Sequence, residues 1–303
     1  MSEIGSKMPL KKVHVPLRYN YIACFLTLDC SLSCSYCINY HNNGNTHKTQ
    51  ILAGRKMAEG LNRLVLPERL PVTLQGGEPS MHPDFIWIIN NIEDRIPIDI
   101  LTNLEFDIDE LIKSVPAGRL TRQAPYANIR VSYHPQSMDL RVLCEKVKRL
   151  QDHGFSVGVF GVLHPAFEEE MKRAREMCRT MGIDFRTKEF LGNYGGRLYG
   201  TYRYAEAVNN AVRRTCRCRT SELIIGPNAD VFRCHHDLYK GFPAIGNLLS
   251  CDFEIDDDFR MCNQYGDCNP CDVKVKTDRF QVFGHTSVEI EDVSPAIGGG
   301  SCQ

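Results

Sequence analysis

Between residues 21 and 191 the chain alternates short apolar runs with amphipathic stretches, and that rhythm leaves few folds open to it. The strand-like runs are YIACFLTLD (21–29), PVTLQ (71–75), IDILTN (98–103), NIRVSYH (128–134), SVGVFGVL (156–163) and IDFRTKEFL (183–191). Helical stretches lie between them: the region around 50–64, DFIWIINNIED (84–94), LRVLCEKVKRLQDHG (140–154) and EEEMKRAREMCRTMG (168–182). Several carry apolar residues at i, i+3/i+4 and i+7, and two end in glycine, a helix stop signal. Continuous apolar strands are those covered on both faces. Six of them joined by helical crossovers imply an α/β fold with a parallel sheet and right-handed connections.

After residue 191 the rhythm breaks. LGNYGGRLYG is glycine-rich and aromatic, so 192–215 reads as a linker. SELIIGPNADVFRC (221–234) reads as a hairpin closed by a Pro-Asn-Ala-Asp turn. DFEIDDDF (252–259) reads as a solvated face, residues 1–20 as a lead-in and 291–303 as a mobile tail. No internal repeat is present. The first twenty residues lack the apolar core of a secretory signal, and no run of about 18 apolar residues exists to span a membrane. A cytoplasmic location is the expectation. With 36 Lys+Arg against 37 Asp+Glu the net charge is −1, which argues against a dedicated nucleic-acid binder.

The 14 cysteines are clumped. Three stand at Cys30, Cys34 and Cys37, and seven more lie between Cys216 and Cys271. A reducing compartment disfavours disulfides, and clumps at short spacing suggest metal ligands. Cys30-Ser-Leu-Ser-Cys34-Ser-Tyr-Cys37 follows the first strand. Three thiolates in one loop can ligate three irons of a 4Fe–4S cube and leave the fourth open to a small molecule. Zinc is the competing occupant, with His41 as the nearest fourth ligand. The second strand runs into Gly76-Gly77-Glu78-Pro79, whose glycines allow backbone to approach a ligand closely.

Taken together, CxxxCxxC with Tyr36 before its last cysteine, followed by GGEP, resembles the radical S-adenosylmethionine (SAM) enzymes. The resemblance covers about residues 20–190 and implies a partial (β/α)6 parallel barrel over 21–191. It implies that Cys30, Cys34 and Cys37 hold a 4Fe–4S cluster that binds SAM. Tyr36, Gly76, Gly77, Glu78, Pro79, Asn103, Ser132 and His134 would then surround the SAM. Thr102 and Asn103 end the third strand; Ser132 and His134 end the fourth.

The second cysteine group adds a cysteine before a hairpin, one at its end and a later C-x-x-C. This resembles the small cysteine-rich Twitch/SPASM extension of one branch of that family, here over 216–290. PNADVFRC is similar to its Pro-Asp-Gly-x-Val-x-x-Cys, and Ile245-Gly246-Asn247-Leu248 to its GN-Leu segment. The resemblance implies one auxiliary 4Fe–4S cluster on Cys216, Cys234, Cys268 and Cys271, with Cys218 an alternate first ligand. A zinc ribbon on the same four is the competing reading. Ala229 replaces the usual turn glycine, which suggests a different turn. Cys251 and Cys262 read as buried or spare. Arg213, Arg214, Arg217 and Arg219 read as a solvated basic face, or as contacts to an acidic substrate group. His235 and His236 read as surface residues.

The activity implied is reductive cleavage of SAM to a 5′-deoxyadenosyl radical, followed by hydrogen abstraction from a substrate C–H bond. An electron donor such as flavodoxin or ferredoxin is implied, and the auxiliary cluster would accept an electron or anchor the substrate. A general base suits an oxidation. Glu189 is the candidate, with Arg186 and Lys188 on the opposite face of the same strand. With no room before Cys30 for a peptide-recognition domain, a small polar metabolite is the preferred substrate. The alternatives are a ribosomal peptide delivered by a separate carrier, and a non-enzymatic iron–sulfur or zinc regulator.

Overall fold

The computed structural model describes residues 10–41, 50–67, 70–276 and 284–291; the side chain of His41, Cys302 and most of the expected tail lie outside them. The six expected strands form: β1 (Tyr21–Thr27), β2 (Val72–Gly76), β3 (Ile98–Thr102), β4 (Ile129–Tyr133), β5 (Val157–Leu163) and β6 (Phe185–Glu189). They lie side by side in chain order, each parallel to the next. The helices between them are α1 (Gly54–Leu61), α2 (Phe85–Asn91), α3 (Ile108–Ser114), α4 (Leu140–Asp152) and α5 (Glu168–Thr180). The sequence reading missed α3, which is too short for a strong period but is capped by Asp107, whose carboxylate accepts the Asp109 N–H at 2.9 Å.

Beyond 191 the chain forms β7 (Arg214–Thr220), β8 (Glu222–Ile225), β9 (Asp230–Phe232), β10 (Gly246–Asn247), β11 (Arg260–Tyr265) and β12 (Val288–Glu291). The expected hairpin is β8–β9. Its first strand lies parallel to β1, with Glu222 opposite Tyr21 and Ile225 opposite Cys24. The main sheet is therefore mixed rather than all parallel, with nine strands in the order β10-β9-β8-β1-β2-β3-β4-β5-β6. The cause is legible in β8 itself: Glu222-Leu-Ile-Ile is buried throughout, so it needs a covered central position, not an edge. The turn also corrects an expectation. Ala229 takes φ 64°, the left-handed geometry usually given to glycine, so the alanine keeps the turn and bears its strain.

One face of the sheet packs under the helices in a single core. Ile22, Leu26, Leu74, Ile100 and Val131 meet Leu143, Val147, Leu150, Met171 and Ala174 there. Each fully buried aliphatic side chain contributes about 1.5–3 kcal/mol, which fixes the strands against the helices. The opposite face is polar toward its strand N-termini. Arg122 holds Asp99 at 3.0 and 2.7 Å, Asn128 donates to Asp99 at 3.1 Å, and Arg130 donates to Thr73 at 3.1 Å. A separate three-stranded sheet, β11-β7-β12, carries the cysteine-rich part. The segment read as a linker contains a hairpin of its own, Gly192–Tyr194 with Arg197–Tyr199. Among the described residues no helix is long and apolar enough to cross a membrane.

Candidate active site

The GGEP loop leaves the C-terminal end of β2 and is stitched to the end of β1. Gly77 donates its N–H to Thr27 O at 3.0 Å, and Glu78 donates to Asp29 O at 2.7 Å. A Cβ on Gly76 would lie 2.1 Å from Thr27 O, and one on Gly77 2.1 Å from Asp29 O. The close approach that the glycines serve here is therefore to the neighbouring strand end. It carries Glu78 into the interior, where the residue is 2% exposed. Its Oε1 accepts from Ser80 N–H at 3.2 Å, Ser80 Oγ at 2.7 Å and Thr102 Oγ1 at 2.7 Å. Its Oε2 accepts the Asn103 N–H at 2.7 Å. Pro79 is buried and starts a short 3-10 turn.

The cysteine loop leaves the same end of β1. Cys37 donates its N–H to Cys34 O at 3.1 Å, which turns the loop. Burial, then the proximity of Cys37 and Cys30, pushes the Cys34 thiol up to about 12. Burial raises Cys30 as well. The three groups thus crowd one another, and a cation is what would let them ionise together. Donors already point at one of the sulfurs. Asn103 donates its side-chain N–H to Ser31 Oγ at 3.0 Å and to Cys30 Sγ at 3.9 Å, and Leu32 N–H reaches Cys30 Sγ at 3.4 Å. Three convergent thiols with N–H donors toward a sulfur are a donor set that fits an iron–sulfur cluster.

Across the site, the Tyr36 hydroxyl and His134 Nδ1 share a hydrogen bond of 3.0 Å. Burial pushes His134 down to about 4, so its ring is neutral at neutral pH. Ser132 is half-buried on the same side of β4. A residue the sequence reading missed stands beside them. His164 is 6% exposed and follows β5 as His134 follows β4. The signal was present: both strands end in His-Pro. The His164 ring meets Tyr36 at 5.2 Å, Phe167 at 5.1 Å, Phe190 at 4.4 Å and Tyr194 at 4.8 Å. A cavity of about 610 Å³ opens over these rings, from Ser35 and Tyr36 to the 192–194 segment and Pro270.

Glu189 does not point into this cavity's lining. It accepts from Thr201 Oγ1 at 2.7 Å and Thr201 N–H at 3.3 Å, and pairs with Lys274 at 3.6 Å. Burial pushes its carboxyl up, but the Thr201 and Lys274 contacts outweigh this and hold it below its ordinary range. Tied in this way it stands at the strand end on Thr201 and Lys274, outside the residues that line the cavity. Lys188, on the other face, lies 5.7 Å from the Phe160 ring.

Pro270 stands between Cys268 and Cys271, so the cavity reaches the second cysteine group. There Cys216 lies opposite Cys262 on paired strands β7 and β11. Cys216, Cys218 and Cys262 interact through their thiols: the other two pull Cys262 down, and Cys218 is pushed up. Cys268 is raised by burial, then by Asp272, Cys262 and Cys216. Cys234 and Cys271 are raised by burial and also feel Asp272. Asp272 is thus the common neighbour of Cys234, Cys268 and Cys271, while Cys268 links them to Cys216. Cys262, read as spare, is part of this group, and Cys251 is exposed beside Arg63.

Two buried side chains beside these thiols have donors without an acceptor among the described residues. Asn269 Nδ2 is one, on a residue 0% exposed, and His236, 3% exposed, has neither ring nitrogen bonded. Buried orphan donors next to a thiol group fit an acceptor such as cluster sulfide. Both His235 and His236 are buried, contrary to the surface reading. His235 Nδ1 bonds Asp272 Oδ1 at 3.0 Å and approaches Glu222 at 3.5 Å, with Lys276 paired to Glu222. The arginines resolve as paired. Arg214 meets Glu206 at 3.3 Å, Arg217 meets Glu291 at 3.8 Å and Arg219 meets Glu289 at 2.9 Å.

No family model matches the sequence, and no curated protein does. Solved structures do. Streptococcus suis SuiB bound to precursor peptide SuiA shares 14% identity at TM-score 0.52, over 80% of this chain and 64% of that one. The chain therefore spans a little less than two thirds of SuiB. Histidine-tagged anSMEcpe with bound AdoMet shares 10% identity at TM-score 0.53, over 78% of this chain and 75% of that one. Native anSMEcpe with AdoMet and Kp18Cys peptide shares 9% at TM-score 0.52, over 77% and 78%. At these TM-scores the chain shares its fold with SuiB and anSMEcpe, the one solved with a precursor peptide and the other with AdoMet.

Proposed function

We propose that this chain is a radical SAM enzyme that takes a hydrogen atom from a peptide substrate. The observation that carries the reading is the strand-end junction: Asn103 holds Glu78 with its backbone and the Cys30 loop with its side chain. When bound, a 4Fe–4S cluster with SAM would supply a 5′-deoxyadenosyl radical able to attack an unactivated C–H bond. Cys30, Cys34 and Cys37 would hold that cluster. Gly76, Gly77, Glu78 and Pro79, with Asn103, Ser132, His134 and Tyr36, would form the walls of the SAM site. Cys216, Cys234, Cys268 and Cys271 would hold an auxiliary 4Fe–4S cluster, with Asn269 and His236 as hydrogen-bond donors to it. A flavodoxin or ferredoxin in the cytoplasm would supply the electron.

In this reading residues 21–191 bind SAM, β8–β10 complete their sheet, and β7, β11 and β12 support the auxiliary cluster. A substrate in the cavity between the two thiol groups could lose hydrogen at one end and an electron at the other. Of the substrates the sequence left open we favour a peptide over a small metabolite. SuiB is matched with its precursor peptide SuiA, and anSMEcpe with Kp18Cys peptide.

The test is anaerobic reconstitution with iron and sulfide, then dithionite and SAM, with 5′-deoxyadenosine read by mass spectrometry. Product is expected from the wild type and none from Cys30→Ala. A fully loaded wild type that makes none would overturn the reading.

A further inference from the structure

We infer that Arg233 is a positioning residue for the second thiol site, a refinement that rests on the auxiliary cluster proposed above. Its guanidinium ties the Cys234 segment to the Cys262 strand and sets a positive charge there that raises the reduction potential of the cluster. Arg233 is not a ligand, and it is not one of the four arginines around Cys216.

Three contacts place the guanidinium. Arg233 follows the end of β9 and precedes Cys234. Its Nη2 donates to Asp237 Oδ1 at 3.0 Å, and its Nε stands 3.0 Å from Asp237 Oδ2, so one carboxylate fixes the plane of the fork. Its Nη1 donates to Met261 O at 3.2 Å. Met261 sits on β11 next to Cys262, and Cys262 lies opposite Cys216 on β7. One side chain thus links the segment of Cys234 to the strand pair that carries Cys262 and Cys216. The Arg233 side chain is 17% exposed and that of Asp237 5%, so water screens this charge weakly.

The thiols register the same charge. Burial, then Asp272 and Asp237, raise Cys234, and Arg233 opposes them. Among Cys216, Cys218 and Cys262 the thiol–thiol hydrogen bonds act first, and Arg233 again eases ionisation. Burial works against the guanidinium in turn, but Asp237, then Cys262 and Cys234, outweigh it and hold Arg233 above its ordinary range.

The neighbouring charges are placed differently. Along β7, Cys216 and Cys218 are buried while Arg217 between them is exposed, so it lies on the opposite face and meets Glu291 at 3.8 Å. Lys276 is paired to Glu222 and Lys274 to Glu189. Asp272 bears on Cys234, Cys268 and Cys271. Reduction adds a negative charge to a cluster, which a nearby carboxylate opposes and a nearby cation favours. Arg233 is therefore the counterweight to Asp272, and it suits a cluster that accepts an electron.

The experiment uses the full chain carrying Cys30/Cys34/Cys37→Ala, anaerobically reconstituted with iron and sulfide, so that the auxiliary cluster alone is loaded. Its one-electron reduction by dithionite is titrated against potential and read by electron paramagnetic resonance. Arg233→Met is expected to disfavour reduction at least tenfold, a fall of about 59 mV or more. Arg233→Lys keeps the charge and loses the fork, and should recover about half of that fall or more. Asp237→Asn leaves the guanidinium unbalanced and should move the midpoint upward. Arg217→Met makes the same change in net charge on the exposed face and should shift the equilibrium by less than about twofold. An unmoved midpoint in Arg233→Met or Asp237→Asn, an equal fall in Arg233→Lys, or an equal fall in Arg217→Met would each overturn the inference. If Arg233→Met takes up no iron, the Arg233→Lys and Asp237→Asn midpoints decide by the same signs. A parent chain that takes up no iron and gives no signal overturns the auxiliary-cluster reading itself, whereas a loaded chain whose midpoint ignores Arg233 overturns this inference alone.

Discussion

Asn103 donates its backbone N–H to Glu78 Oε2 at 2.7 Å, across the gap between the ends of β3 and β2. Glu78 is buried and its other oxygen takes bonds from Ser80 and Thr102, so one carboxylate organises two strand ends. Glu78→Gln keeps the shape but turns one acceptor into a donor that faces another donor. A buried group left unsatisfied costs about 1–3 kcal/mol. The variant should therefore lose roughly 2 kcal/mol in urea unfolding and bind SAM at least tenfold more weakly. Wild-type stability with wild-type SAM affinity would remove Glu78 from the site.

The GGEP glycines make a second claim, about backbone alone. Gly77→Ala puts a Cβ where Asp29 O stands 2.1 Å away, and that carbonyl is fixed by the Glu78 N–H. Neither atom is the end of a flexible side chain, so the loop must move. The expected loss is about 3 kcal/mol or more in unfolding free energy. Gly118 has nothing within 4 Å of its would-be Cβ, and Gly118→Ala should change stability by less than about 0.5 kcal/mol. Equal effects at the two positions would show that the loop is not locked against β1.

Titration supplies a third. Burial pushes His134 from 6.5 down to about 4. Its folded pKa is thus below its unfolded one, so between these values the unfolded chain binds more protons and stability rises with pH. The contribution is fully present above about pH 6.5 and is lost as the pH falls toward 4. Its ceiling is roughly 3.5 kcal/mol, at about 1.4 kcal/mol for each pH unit between the two values. Unfolding free energies measured from pH 7 to 4 should fall less steeply in His134→Gln than in the wild type. Parallel slopes would mean that the imidazole is solvated in the native state.

Much of this architecture could be read in advance because its signals are local. The runs of β1 to β5 are apolar enough to show as strands, and GGEP and CxxxCxxC mark loops whose neighbours along the chain decide their chemistry. What escaped the sequence is long-range. The pairing of Glu222 with Tyr21 joins residues about 200 apart, and no period in either strand announces the partner. Glu189 offered the right group at a strand end, yet Thr201 and Lys274, both remote or separated by a hairpin, decide what it does. His235 and His236 look polar and exposed in the sequence, but a six-residue helix packs them beside Phe25 and Phe242. His164 was readable and overlooked, since only the comparison of two strand ends reveals its kinship with His134.

The cysteines give the sharpest test, because the described thiols at the second site exceed the four a cluster needs. The proposed ligands are Cys216, Cys234, Cys268 and Cys271, while Cys218 and Cys262 interact with Cys216 closely enough to compete for its place. Two 4Fe–4S clusters would give about eight irons per reconstituted chain. Removing the ligands of one cluster should release about four, so the Cys30/Cys34/Cys37→Ala variant and the Cys268→Ala/Cys271→Ala variant should each retain about four. Cys251→Ala, at an exposed position, should retain all of them. Cys262→Ala is the discriminating case and is expected to keep about eight irons, with the electron paramagnetic resonance of both reduced clusters intact. Loss of about four irons there would move the ligand set onto β11, and would make the pairing of Cys216 with Cys262 the centre of the auxiliary site.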